Sequence, residues 1–139
     1  MPTFSMPVRI EMGDDSIESL GREAAALGRR GYIIAGASAR ANGSLQRAAD
    51  LMATAGMAVE AFTGVSGEPT LAVVDEALTA ARAWGVDVLV GLGGGSQMDV
   101  AKALSGLVHA TGETREYFAG RAIDADTVPG SPIEIRWNE

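Results

Sequence analysis

The chain has 139 residues, a formal net charge of −7 and no cysteine, and apolar residues make up 47 % of it. That size and apolar content suit a single globular domain with its own core, and the lack of cysteine excludes a disulfide framework and a thiolate metal site. The acidic balance argues against a nucleic-acid partner. No apolar run reaches the roughly 18 residues of a membrane span, and Met1–Pro7 has no basic, signal-like start, so a cytoplasmic protein without a membrane partner is expected.

Val8–Met12 reads as a short extended piece. Asp14-Asp15-Ser16 supplies N-cap chemistry, with Asp15 and Glu18 at capping-box spacing. Ile17, Leu20, Ala24 and Leu27 then follow at helical spacing, and Gly28 stops the helix. Tyr32-Ile33-Ile34-Ala35, between Gly31 and Gly36, predicts a buried strand. Leu45, Ala48, Ala49, Met52 and Ala55 form a second helical stripe ended by Gly56. Met57–Phe62 is strand-like, and Thr63–Pro69 is a loop of small residues. Leu71, Val74, Ala77, Leu78 and Ala81 make a third stripe, closed by Gly85.

Val86–Leu92 is mostly β-branched residues or leucine and reads as a central strand buried on both faces. A glycine turn follows it, then a helix through Ala101, Leu104, Leu107 and Val108. This alternation predicts an α/β fold: a Rossmann-like parallel sheet with helices on both faces, in a single domain. The boundaries expected are a dinucleotide-binding domain over 1–120 and an atypical tail over 121–139. Glu113–Gly120 could form a helical turn, and Ile133–Trp137 alternates like an edge or exposed strand.

The turn Gly93-Gly94-Gly95-Ser96 lies between the best strand and a helix. Glycines let a backbone approach a ligand closely and accept positive φ. The first amides of a helix have no intrahelical partner, and the helix dipole makes that end positive. Together these suit a pyrophosphate, at the end of the strand where open α/β sheets bind ligands. The spacing is neither G-x-G-x-x-G nor a P-loop, and such a turn can equally serve helix packing. Ser96 and Asp99 have the spacing of a capping box, and Lys102 could pair with Asp99 on the helix surface. Neither needs a ligand to be explained.

Gly93 to Ala103 resembles the GGGSxxDxAK signature of the iron-containing (group III) alcohol dehydrogenases. Further segments agree in order: Val8–Gly13, Leu20-Gly21, Leu27-Gly28, Tyr32–Gly36, Val65–Thr70 and Ala80–Asp87. The resemblance covers residues 4–120. Ser96 and the Ala101-Lys102 pair fit these enzymes better than the related dehydroquinate synthases, which also carry a triple glycine.

The resemblance implies oxidation of alcohols or reduction of aldehydes and ketones with NAD(P), whose nicotinamide carries the hydride. It also implies an Fe²⁺ or Zn²⁺, held by one Asp and three His of a second, helical domain, that polarises the substrate oxygen. Carried over position by position, it places Gly94, Gly95 and Ser96 on the pyrophosphate and Asp99 on the nicotinamide side. Gly36 stands where NAD-preferring relatives often carry an Asp for the ribose. That implies a preference for NADP, with Ser38 and Arg40 as phosphate partners; a plain strand-end turn explains Gly36 equally. Glu68 replaces the family's Asn before Pro-Thr, where a carboxylate facing the phosphates would repel them.

His109 is the only histidine, and as a lone residue near a helix end it is explained by the dipole alone. One His without Cys cannot build the family's metal site, so this chain is expected not to bind the metal, or to be active, by itself. The expectation is a truncated or split enzyme, as a homo-oligomer or with a partner chain that supplies the metal domain. The alternative is a free-standing nucleotide-binding or regulatory module.

Overall fold

The computed structural model describes residues 9–12, 20–65, 67, 69–93, 95–108 and 133–136. Within them five strands, β1 (Arg9–Met12), β2 (Arg30–Ala35), β3 (Ala58–Phe62), β4 (Val88–Leu92) and β5 (Ile133–Arg136), form one sheet in the order β1-β5-β4-β2-β3. Every pairing in it is parallel. Five helices accompany it: α1 (Leu20–Leu27), α2 (Ala37–Ala41), α3 (Ser44–Thr54), α4 (Leu71–Trp84) and α5 (Gly95–Leu107).

The two-residue period of the strands divides the core into two layers. Tyr32, Ile34 and Leu89 pack with Val74, Ala77, Leu78 and Ala81 of α4 and with Val100, Ala101 and Leu104 of α5. Ile33, Ala35, Val88, Val90 and Leu92 pack the opposite way, on Leu20 and Ala24 of α1, Ala39 of α2 and Ala48 and Met52 of α3. All five residues of β4 are buried. This is the Rossmann-like α/β architecture expected from the alternating runs.

At the amino end of the sheet the strands are tied by side chains. The Asp87 carboxylate accepts from the backbone N–H of Arg29 at 3.0 and 3.1 Å and of Arg30 at 2.7 Å. Gly28 is glycine because of this contact: a Cβ there would lie 2.5 Å from both Asp87 Oδ1 and Val88 Cγ2. Trp84 Nε1 donates to the Gly31 carbonyl at 3.2 Å, and Arg30, stacked 4.1 Å over the Trp84 ring, donates to the Trp84 carbonyl at 2.9 Å. Arg82 donates to the carbonyls of Leu107 and Val108, both at 2.9 Å, and so satisfies the C-terminal end of α5. Helix α4 starts with Thr70 Oγ1 accepting from Val73 N and stops at Gly85, whose φ of 74° is left-handed.

Two expectations are corrected. Residues 133–136 are not an edge strand: β5 sits between β1 and β4, with Ile133 in register with both Arg9 and Val90. Alternating residue types report which side chains share a face; they do not report whether the backbone is paired on one side or both. Helix α2 was not expected, because five residues, Ala-Ser-Ala-Arg-Ala, are too few to show a period. The proposed capping box at 15–18 and the helical turn at 113–120 lie outside the described residues.

Candidate functional site

Strands β2 and β4 are neighbours in the sheet, with Ala35 opposite Leu92, so the residues that follow them, Gly36 and Gly93, stand side by side at the carboxyl ends. From β2 the chain continues to β3 on one side, whereas β5 lies on the other side of β4. The crevice between Gly36 and Gly93 is therefore a topological switch point, where open α/β sheets bind ligands. Two sequence features 57 positions apart are brought together in this way.

Helix α5 begins at Gly95, directly beyond the crevice. Gly93 has φ 136°, a conformation that side chains disfavour, so the backbone is bare at this position. Ser96 is half-buried and already helical. It is not the N-cap of α5, and the capping-box reading of Ser96 with Asp99 is set aside, since a cap residue precedes the first helical one. Gly94 lies outside the described residues, as do Ser66, Glu68 and His109.

Gly36 is buried and has φ −106° and ψ −179°, an extended backbone open to any residue. A need for positive φ is therefore not what this strand-end glycine serves. The constraint here is steric: a Cβ at position 36 would lie 2.4 Å from Gln97 Nε2 and 3.2 Å from Gln97 Cδ, so this side chain would have to give way. A Cβ at Gly93 would lie 3.1 Å from Gln97 Oε1. The Gln97 carboxamide thus sits between the two strand ends, and its Nε2 donates to the carbonyl of buried Val65 at 3.4 Å.

Sequence reasoning passed over Gln97, which occupies a variable position of the signature. The signal that would have found it is the pairing of a long polar side chain with an otherwise unexplained glycine. That pairing becomes visible only once β2 and β4 are known to be adjacent. Ser38 and Arg40 are both exposed on α2, immediately beyond Gly36.

A second depression lies on the α4–α5 face. Pro69, Thr70, Leu71 and Val74 line one side and Asp99, Val100 and Ala103 the other, around a volume of about 510 Å³. Asp99 is exposed here, opposite the segment leading into α4. Leu71, at 43 % exposure, is the most exposed large apolar side chain among the described residues. The first two turns of α5 thus connect the crevice, at Gln97, with this cavity, at Asp99.

Among the described residues no group of three or more His, Cys, Asp or Glu side chains could hold a metal ion. With one histidine in the whole sequence, the residues present do not fit the family's one-Asp, three-His centre. Among the described residues no helix is long and apolar enough to cross a membrane.

The sequence matches the iron-containing alcohol dehydrogenase family over residues 7–133. It is 27 % identical over 128 residues to a probable NADH-dependent butanol dehydrogenase 2 of Bacillus subtilis, covering 91 % of this chain and 33 % of that one. It is 36 % identical over 104 residues to an alcohol dehydrogenase of Thermococcus barophilus, covering 75 % of this chain and 27 % of that one. Among solved structures, an NADH-dependent butanol dehydrogenase A of Thermotoga maritima superposes with a TM-score of 0.78 at 28 % identity, over 97 % of this chain and 34 % of that one. The chain therefore spans about a third or less of the length of these relatives.

Proposed function

The chain belongs to the iron-containing alcohol dehydrogenase family, and from that premise we propose that it is the NAD(P)-binding part of an alcohol or aldehyde oxidoreductase. The observation that carries the reading is the crevice: Gly36 and Gly93 adjoin at the carboxyl ends of β2 and β4, and α5 starts from it. Unpaired amides at the start of α5, with the positive end of its dipole, suit a pyrophosphate. Gly94, Gly95 and Ser96 hold that group in this reading. The adenosine ribose lies toward Gly36 and Ser38, and the nicotinamide lies toward Asp99 and the cavity beside it. When bound, the nicotinamide supplies or accepts the hydride.

Gly36 adds no carboxylate at the ribose, and exposed Arg40 stands four residues on. Both support acceptance of a 2′-phosphate and a preference for NADP. With one histidine in the sequence, the chain does not supply the one-Asp, three-His centre that the resemblance implies, and the Lewis-acid half of the reaction is assigned to a partner domain or chain. Exposed Leu71 at the cavity rim supports an apolar contact there, with a second copy or a partner chain. A cytoplasmic setting belongs to the same reading, supported by the absence of cysteine.

Titration of the purified chain with NADH and NADPH, followed by cofactor fluorescence, tests the proposal. Saturable binding that is tighter for NADPH and lost on Ser96→Glu is expected. Equal affinity for the two would remove the NADP preference, and binding of neither would overturn the dinucleotide reading. Light scattering tests the association, which a clean monomer would refute.

A further inference from the structure

We infer that Gln97, rather than a residue at the end of β2, is the side chain that sets which ribose the crevice admits, one with a 2′-hydroxyl or one with a 2′-phosphate. The inference rests on the dinucleotide reading above and deepens it. In dinucleotide-binding α/β folds an acidic side chain holds the ribose 2′-hydroxyl, and in the reading above the ribose lies toward the end of β2. Here that position is Gly36, which has none. The place its Cβ would take is held by Gln97 Nε2, 2.4 Å away, reaching in from α5.

The carboxamide is positioned on two sides. The Val65 carbonyl accepts from Nε2 at 3.4 Å, and the bare backbone of Gly93 walls the Oε1 side. A carboxamide is uncharged and carries both donors and an acceptor. It can accept from a hydroxyl or donate to a phosphate, and unlike a carboxylate it does not repel one. Gln97 and Gly36 are therefore two halves of one device, because a side chain at 36 and the carboxamide of 97 compete for the same space. The competing atom at 97 is the end of a flexible side chain, so a substitution at 36 displaces Gln97 without breaking the fold.

The test is the ratio of NADPH to NADH affinity in the full chain, with thermal melting as the control for folding. Gln97→Glu is nearly isosteric and brings a carboxylate to the crevice; it should cost NADPH about tenfold relative to NADH, the scale of a single charge contact. Gly36→Asp alone should weaken both cofactors, because the displaced Gln97 obstructs the site. Gly36→Asp combined with Gln97→Ala should restore NADH and not NADPH. Should Gln97→Glu fail to fold, Gly36→Ala displaces the same carboxamide without altering α5, and it should also shift the ratio. Wild-type chain that binds neither cofactor overturns the dinucleotide reading and this inference with it. Wild-type chain that binds, with the same ratio in the folded Gln97 and Gly36 variants, overturns the inference alone.

Discussion

Where β2 and β4 begin, Asp87 grips the amides of Arg29 and Arg30, Arg30 and Trp84 tie β2 to the end of α4, and Arg82 closes the end of α5. Where the same two strands end, each runs into a glycine, and between the glycines lies the end of one glutamine side chain. The first arrangement converts polar side chains into fixed strand spacing. The second leaves two glycines facing one carboxamide. The pairing of β2 with β4 is continuous from Gly31 and Val88 to Ala35 and Leu92, so the rigid end sets the geometry of the open one. Substitutions at the two ends should therefore separate into effects on folding and effects on the proposed binding.

The largest expected effect is at the rigid end. Gly28→Ala would press a Cβ onto a carboxylate already held by backbone amides and onto a buried valine, neither of which has room to move. A loss of about 3 kcal/mol is expected, read as a lower urea midpoint, with dinucleotide affinity unchanged at temperatures where the variant is folded. At the open end Gly95→Asp should do the reverse. A carboxylate at the first residue of α5 suits the helix dipole, so the melting temperature should hold. The same charge occupies the proposed pyrophosphate seat, and affinity should fall about a hundredfold, near 2.8 kcal/mol. A variant that lost stability and affinity together would erase the distinction between the two ends. Asp87→Ala comes next, at about 1.5 kcal/mol for leaving two strand-entry amides without their acceptor. Asp87→Asn, which keeps one acceptor oxygen, should recover part of that loss.

The two ends also differ in how far the sequence discloses them. The open end was legible as a place: the strand Val88–Leu92, the glycine turn and the helix start are contiguous, and contiguous residues carry their own period. Gly36 was legible as a candidate through the family resemblance, but its steric contact with Gln97 was not. Gln97, the Asp87 clamp and the Arg82 cap are contacts between residues 25 to 61 positions apart, and only strand order brings them together. The same limit hid β5, whose interior place depends on pairing with β1 and β4 rather than on its own four residues.

The smallest effect belongs to a group between the two ends. Tyr32 lies in the middle of β2, 2 % exposed on the α4–α5 face. Burial, and then the carboxylates of Glu60 and Glu76, raise its phenol above the ordinary value of 10.0. In the unfolded chain the phenol releases its proton near that value, while the folded chain retains it. Above pH 10 the unfolded state therefore binds fewer protons, and stability falls as pH rises until the folded phenol also ionises. Below pH 10 both states are protonated, and this group adds no slope. Tyr32→Phe should leave the pH dependence unchanged between 7 and 9 and should flatten the decline above 10. The slope removed should approach, and not exceed, about 1.4 kcal/mol per pH unit, the limit for one proton. Urea midpoints of the two proteins at pH 8, 10 and 11 measure the difference directly. Parallel curves across all three would mean that water reaches the phenol, and that the sheet between its clamped and open ends is looser than its packing implies.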